Sequence, residues 1–254
     1  MFDSYKDGEA FKEQNGYTID DAWYPRVTKI ISVKAKPALL RFYGEAESYR
    51  AATDISTESA KEGTMVHEAA EAILLGKNPE VPTVVKPAID AFVEFLTTQN
   101  IQTAAEWVER RILHLDHRYA GTIDALALID GKFGVFDIKT SQGIYRDYNL
   151  QTAAYMDALK GQFPNLQTRW ILRIDQGQVC ERCNATMRTK GGREKIKRNR
   201  MAPCDADAHE WSPVRGIIEL KEFPYWHNDF EAYLGAKKLW EWENEFWLKK
   251  IGYL

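Results

Sequence analysis

Apolar residues recur along this chain with two periods, and the switches between them mark the elements. Val85, Ile89, Phe92, Val93 and Leu96 fall at helical spacing and predict an amphipathic helix over 84–99 with its stripe on the core. A longer helix is predicted over 57–76, closing at Gly76 ahead of Pro79. Pro37 suits the first turn of a helix over 37–50, with Leu39, Leu40, Phe42 and Tyr43 available to the core. The stretch 148–159 predicts a helix ending near Gly161 and Pro164, and 226–250 a terminal helix with wide apolar coverage from Phe230 to Trp247. Period-two alternation predicts a strand over 106–114, with Trp107, Glu109 and Arg111 on one side and Val108, Arg110 and Ile112 on the other. Further strands are predicted over 168–174 and 214–221. Residues 1–22 are polar and predict an ordered arm or a frayed start, and 24–31 a short strand or the lead into a helix.

Two apolar runs, 125–129 and 133–136, flank Asp130-Gly131-Lys132 and predict a β-hairpin. Asp124 falls in the first strand and Asp137 at the end of the second. Residues i and i+2 of a strand share a face, so Asp137 and Lys139 point the same way and Ile138 points to the core. Two carboxylates and an ammonium can thus converge, and carboxylate oxygens suit Mg²⁺ or Mn²⁺. An Asp and a Lys two apart also form solvated ion pairs of little value, so the hairpin alone leaves both readings open. His67 and Glu71 stand four apart on the 57–76 helix, hence on one face, and a neutral imidazole is a common metal ligand. Gln151 and Tyr155 share a face of the 148–159 helix and offer an amide and a hydroxyl. His114, Asp116 and His117 stand close together with no evident fourth ligand, which favours an ordinary turn.

The chain has 254 residues, is 44% hydrophobic and carries a formal net charge of −3, enough for one good-sized core and unlike a polycation that coats nucleic acid. It has no apolar run of about 18 residues, so no membrane helix is expected. The N-terminal residues fit neither a secretory signal nor an Arg-rich transit peptide, so a cytoplasmic location is expected. In that setting three cysteines suggest thiols or a metal rather than disulfides. Cys180 and Cys183 form a C-x₂-C pair, followed by Cys204 and His209. Together they predict a structural Cys₃His zinc site with no open coordination position, within a basic loop inserted over 177–211. That loop holds the one strongly basic run, with Arg188, Lys190, Arg193, Lys195, Lys197, Arg198 and Arg200 as candidate phosphate contacts.

Four ordered motifs, Gly63-Thr64-Met65-Val66-His67, Gly121-Thr122-Ile123-Asp124, Asp137-Ile138-Lys139 and Leu150-Gln151-Thr152-Ala153-Ala154-Tyr155-Met156, resemble those of the RecB-like branch of the PD-(D/E)xK nuclease superfamily. The pattern is most similar to the mitochondrial genome maintenance exonuclease and its phage and bacterial relatives, which also carry a Pro-x-Val-Thr element, here Pro25-Arg26-Val27-Thr28. The resemblance covers roughly 24–175, and four motifs in order are more specific than one. It implies a single α/β domain over 1–254, with a restriction-endonuclease-like αβββαβ core whose mixed central sheet is flanked by helices. It further implies a DNA exonuclease dependent on Mg²⁺ or Mn²⁺, encoded by a bacterium or a phage and serving DNA processing or recombination. Single- or double-stranded DNA with free ends would be its partner, beside a recombination or replication protein. His67, Asp124, Asp137 and the backbone carbonyl of Ile138 would hold the catalytic metal, and Lys139 would activate water. Gln151 would hold the lysine or a phosphate, Tyr155 would support its helix or touch DNA, and Glu71 would give lesser support. The mitochondrial relatives lack the cysteine insertion. Iron–sulfur relatives place one cysteine far upstream, which favours zinc here. An endonuclease of the same fold, or a non-catalytic zinc-containing nucleic-acid binder, are the alternatives.

Overall fold

The structure is a computed structural model that describes residues 5–198, 204–205 and 208–254. In chain order its elements are α1 (Gly8–Asn15), β1 (Gly16–Ile19), β2 (Ala22–Pro25), the short α2 (Val27–Ile30), α3 (Pro37–Glu45), α4 (Tyr49–Leu74), α5 (Lys86–Thr98), β3 (Ile101–Gln102), β4 (Val108–His114), β5 (Tyr119–Ile129), β6 (Lys132–Lys139), α6 (Asp147–Leu159), β7 (Thr168–Val179), β8 (Thr186–Lys190), β9 (Arg193–Lys197), β10 (Arg215–Glu222), α7 (His227–Glu243) and α8 (Glu245–Lys250). The fold is mixed α/β, with a mixed central sheet flanked by helices.

The β5–β6 hairpin forms as its turn chemistry requires. Asp130 (φ 50°) and Gly131 (φ 79°) both take left-handed angles, the demand of a two-residue turn whose twist matches its strands. Parallel strands need a crossover, and α6 supplies it between β6 and β7. β10 pairs antiparallel with the far edge of β7, while β4 and β3 share the outer edge of β5. β8 joins the last residues of β7, and β9 follows it.

Helices cover both faces, so the central strands read as continuous apolar runs rather than alternating ones. One face packs Leu126, Phe133 and Val135 against Ala153, Tyr155 and Leu159 of α6, with Phe230 and Tyr233 of α7 behind them. The other packs Ala125, Ala127, Phe136 and Leu172 against Val66 and Ala70 of α4 and Ile89 and Phe92 of α5. Among the described residues no helix is long and apolar enough to cross a membrane.

Four expectations need correction. Of the two alternatives for the polar start, the described residues show the ordered one, and as a helix and hairpin rather than an arm: Asp7 caps α1, and Phe11 is fully buried, stacked on Trp247 and Trp240 at 5.9 and 6.3 Å between ring centroids. The helix predicted over 37–50 stops at Glu45, because Ser48 turns extended and its hydroxyl caps the next helix by accepting from the Ala51 N–H at 3.0 Å. α4 therefore begins at Tyr49, and α3 buries no residue, with Leu40 exposed rather than in the core. The terminal helix breaks at Asn244, and Leu239, Trp242 and Phe246 are exposed. The basic insertion is not a plain loop: Gly191 and Gly192, both at positive φ, turn it into the β8–β9 hairpin.

Arg169 of β7 is completely buried. Its guanidinium donates to the carbonyls of Asn149, Phe223 and Tyr225 and pairs with Asp229 at the start of α7. Removing one partner of a buried ion pair strands the other charge in a low dielectric, so Asp229→Ala should cost about 3–5 kcal/mol, read from the urea unfolding midpoint.

Candidate functional site

The β5–β6 ladder ends at Ala125↔Phe136, and beyond it the two strands part while β5 continues its pairing with β4. Strand separation would leave the Ile138 amide without a partner. Asp124 fills the fork: its Oδ2 accepts the Ile138 N–H at 2.6 Å. The N–H and carbonyl of one strand residue lie on the same edge, so the Ile138 carbonyl also faces this fork.

Two glycines let the surrounding helices close on it. A Cβ at Gly63 of α4 would lie 2.9 Å from the Thr140 hydroxyl, directly after Lys139. With no side chain there, α4 approaches closely enough to bring His67 Nδ1 to 3.5 Å from Asp124 Oδ1. A Cβ at Gly121 would lie 2.7 Å from the Tyr155 ring. Its absence seats Tyr155 and, one turn earlier on α6, Gln151, whose amide donates to the Tyr155 hydroxyl at 2.9 Å and stands 3.4 Å from Asp137 Oδ1. Lys139 Nζ lies 2.5 Å from Asp137 Oδ2, and the ring of Tyr148 faces its ammonium at 5.2 Å. Apart from that ion pair the Asp137 oxygen, which is buried, has no hydrogen-bond partner.

Two carboxylates this close are driven apart in acidity. Burial works against the charge on Asp124, but the hydrogen bond to His67, the Lys139 ammonium and the Ile138 N–H outweigh it and hold Asp124 below the usual carboxylate range. Asp137 goes the other way, to about 6, pushed up by burial and by Asp124 against the pull of Lys139. For His67, burial disfavours the imidazolium, yet the hydrogen bond to Asp124 and its charge raise the pKa on balance. Lys139 is likewise raised, Asp137 and Asp124 overcoming its burial. Opposite shifts on neighbouring acids in a polar cluster are a signature of functional sites. The cluster balances its acids with a lysine and a protonation-prone histidine.

Glu109 belongs here too. It stands opposite Asp124 across the β4–β5 pair, with φ 48° interrupting the ladder, and its pKa rises to about 7 through partial desolvation and the charges of Asp124 and Glu71. Glu71, one turn after His67, thus faces Glu109. Sequence periodicity placed Glu109 on a strand without singling it out. The register fixed by the β4–β5 turn, with His114 opposite Tyr119, was the signal that could have found it.

The cysteines converge. The ligand atoms of Cys180, Cys183, Cys204 and His209 all lie within 4.8 Å of one another. Cys180 and Cys204 sulfurs are 4.0 Å apart, and Cys183 Sγ is 3.4 Å from His209 Nδ1. A tetrahedral ion with bonds of about 2.0–2.3 Å needs edges of roughly 3.4–3.8 Å, so the donor set fits a metal such as zinc. Burial opposes ionisation of Cys180, but hydrogen bonds from His209 and from the backbone of Cys183, Arg182 and Glu210 lower its pKa to about 6. Cys204 is pushed up to about 11 by burial and by the two other thiols.

The expected phosphate contacts divide. Arg188 is turned inward, its Nε donating to both carboxylate oxygens of Asp175 at 2.8 and 2.7 Å and its Nη2 to the Thr140 carbonyl at 3.1 Å. Lys190 also donates to the Thr140 carbonyl, and burial, then the neighbouring Arg188, bring its pKa down to about 8. Lys195, Lys197 and Arg198 are exposed, Arg193 is half-buried with its guanidinium over the Phe42 ring, and Arg200 lies outside the described residues. Tyr155 is buried, so it supports its helix and does not reach a ligand. Gln151 addresses Asp137 rather than the lysine. His114 pairs with Asp157 at 2.8 Å, consistent with a structural role at its turn. A cavity of about 360 Å³, lined by Trp107, Phe133 and Phe163 among others, opens at the turn end of the β5–β6 hairpin and carries no titratable group.

No family model and no curated protein matches the chain. Among solved structures, SSO0001 is similar at a TM-score of 0.30 and 16% identity, over 59% of this chain and 61% of that one, so the chain spans less than two thirds of that protein. A likeness of that size carries no argument here.

The Asp137 shift has a stability consequence. A carboxyl whose pKa is raised on folding costs nothing below about pH 4, where both states are protonated, and its full penalty is present above about pH 6. Asp137→Asn also leaves the buried Lys139 ammonium without its partner, an offset present at every pH. Without added divalent ions, the stability difference between variant and wild type should nevertheless move in the variant's favour as pH rises from about 4 to about 8, read from urea melts across that range. A difference that stays constant across that range would show that Asp137 is not under electrostatic stress.

Proposed function

We propose that this chain is a divalent-metal-dependent DNA exonuclease of the PD-(D/E)xK kind. One observation carries the proposal: His67 from α4, Asp124 from β5 and Asp137 and Lys139 from β6 meet at the fork of the sheet. The succession of α5, the three strands β4–β6, α6 and β7 supports the αβββαβ core that such enzymes share. Oxygen and imidazole donors suit Mg²⁺ or Mn²⁺.

Asp124, Asp137, the His67 imidazole and the Ile138 carbonyl would hold the ion. When bound, it neutralises charge on the scissile phosphate and lowers the pKa of an attacking water. Lys139, whose ammonium charge is reinforced by Asp137 and Asp124, would donate from Nζ to orient that water and would stabilise the hydroxide left when the water's proton goes to solvent. Gln151 fixes the Asp137 carboxylate, and Tyr155 fixes Gln151. Glu71 and Glu109 add negative charge that favours the cation. The exposed Lys195, Lys197 and Arg198 offer phosphate contacts that position a strand without reading its sequence. Zinc in the Cys180, Cys183, Cys204 and His209 cluster would be structural, since every coordination position is filled by protein.

End-labelled single- and double-stranded DNA should be degraded in Mg²⁺ or Mn²⁺, and Asp137→Ala or Lys139→Ala should reduce the rate at least about 10³-fold. Full activity in either variant would end the proposal, and cleavage of closed circular DNA would reassign the enzyme as an endonuclease. The purified protein should carry about one zinc per chain by elemental analysis, lost in Cys183→Ser; iron in place of zinc, or no metal, would overturn that assignment.

A further inference from the structure

The basic hairpin is docked on the site through its own charges. Arg188 and Lys190 both donate to one acceptor, the carbonyl of Thr140, and Arg188 is held in place to do so by Asp175, a buried acid that also pairs with Arg173. At the turn, the Gly191 N–H donates to Glu62 of α4 at 2.9 Å, and a Cβ at Gly191 would come within 2.3 Å of the Ile55 carbonyl and the Ser59 hydroxyl. Lys195 reaches Gln142 at 3.0 Å. Thr140 is therefore held from two sides, its carbonyl by the hairpin and its side chain by the close approach of α4 at Gly63. It is also the residue that follows Lys139. The other end of the hairpin is rooted in the cysteine cluster: β7 runs straight into Cys180, whose N–H donates to the Ala185 carbonyl just before β8.

We propose that Arg188 and Lys190 are positioning residues for the site, holding the end of β6 against α4 through the Thr140 carbonyl, and that the Cys₃His cluster, by fixing the root of the hairpin, couples metal loading to the placement of Lys139. The inference rests on the nuclease reading for its catalytic consequence and on geometry alone for the coupling. The basic run thereby splits into two roles, with Arg188 and Lys190 organising the site and only the outward residues meeting phosphate. A guanidinium shared between a carboxylate and a carbonyl uses its fork geometry, which a lysine at the same place cannot reproduce.

Hydrogen exchange and kinetics test it together. In Arg188→Ala, and separately in zinc-free Cys183→Ser, amides of 138–143 should exchange about tenfold faster than in the zinc-loaded protein, while those of β10 stay unchanged. For Arg188→Ala, kcat should fall at least about tenfold. Its affinity for DNA, measured with Ca²⁺ in place of Mg²⁺, should keep the wild-type salt slope, whereas removing a side chain that neutralises a phosphate would flatten that slope by about 0.9. If Arg188→Ala does not fold, Arg188→Lys carries the same readouts. Unchanged exchange over 138–143 in a folded Arg188 variant or in the zinc-free protein would overturn the inference, as would a flattened salt slope with wild-type kcat. A wild-type protein that cleaves nothing would sink the nuclease reading, and the exchange data would still decide the coupling.

Discussion

The hydrogen bond from the Ile138 amide to Asp124 is the constraint on which the site depends. Where β5 and β6 part, a backbone donor would be left without a partner in a nearly dry place, and that is costly in any fold. A carboxylate satisfies it, but brings a negative charge into the interior beside a second one on Asp137. The rest of the neighbourhood answers that charge. The lysine arrives two residues along the same strand, the histidine is delivered by a helix that can approach only because Gly63 has no side chain, and the glutamine is braced by a buried tyrosine seated on Gly121. What is left is strain on one acid: burial and the Asp124 charge raise Asp137 even with Lys139 paired to it.

The two layers make different contributions. α6 sits on one face of the sheet and positions Asp137 through the half-buried Gln151, itself braced by the buried Tyr155. α4 sits on the other face, is longer, and meets the site from Gly63 through His67 to Glu71; N-terminal to that stretch it is contacted by the hairpin at Ile55, Ser59 and Glu62. The same helix thus carries a site residue and receives the insertion.

Local chemistry was legible in the sequence where one or two residues decide it. The Asp130-Gly131 turn, the helix of α5 and the C-x₂-C pair each act over a few residues and each came out as expected, except that Val93, read as part of the core stripe, is exposed. Convergence of His67, Asp124, Asp137 and Lys139 followed from motif order. What sequence did not reveal were matters of partnership across distance. Phe11 stands in a polar stretch with no apolar periodicity, and its stacking depends on tryptophans far along the chain. Ser48 competes for the backbone locally and divides one predicted helix from the next. Arg188 and Lys190 looked like surface charge because nothing nearby in sequence announces Asp175 or the Thr140 carbonyl as their acceptors. Glu109 was hidden by its own alternation pattern, since its place opposite Asp124 is a property of the paired register and not of either strand alone.

The stack of Phe11 on Trp247 sets an order of events during synthesis. Domains are made from the N-terminus, and contacts distant in sequence form last because the loop they close is longest. Tyr5 and Trp23 are at hand for the Phe11 ring from the start, but its stacks on Trp240 and Trp247 must wait until α7 and α8 have been made, whereas the strands and helices that build the acidic fork have emerged well before. The nascent chain would pass through a stage in which the fork can assemble while the seam between α1 and the α7–α8 pair is still open, and that seam is where a chaperone or a protease would find it.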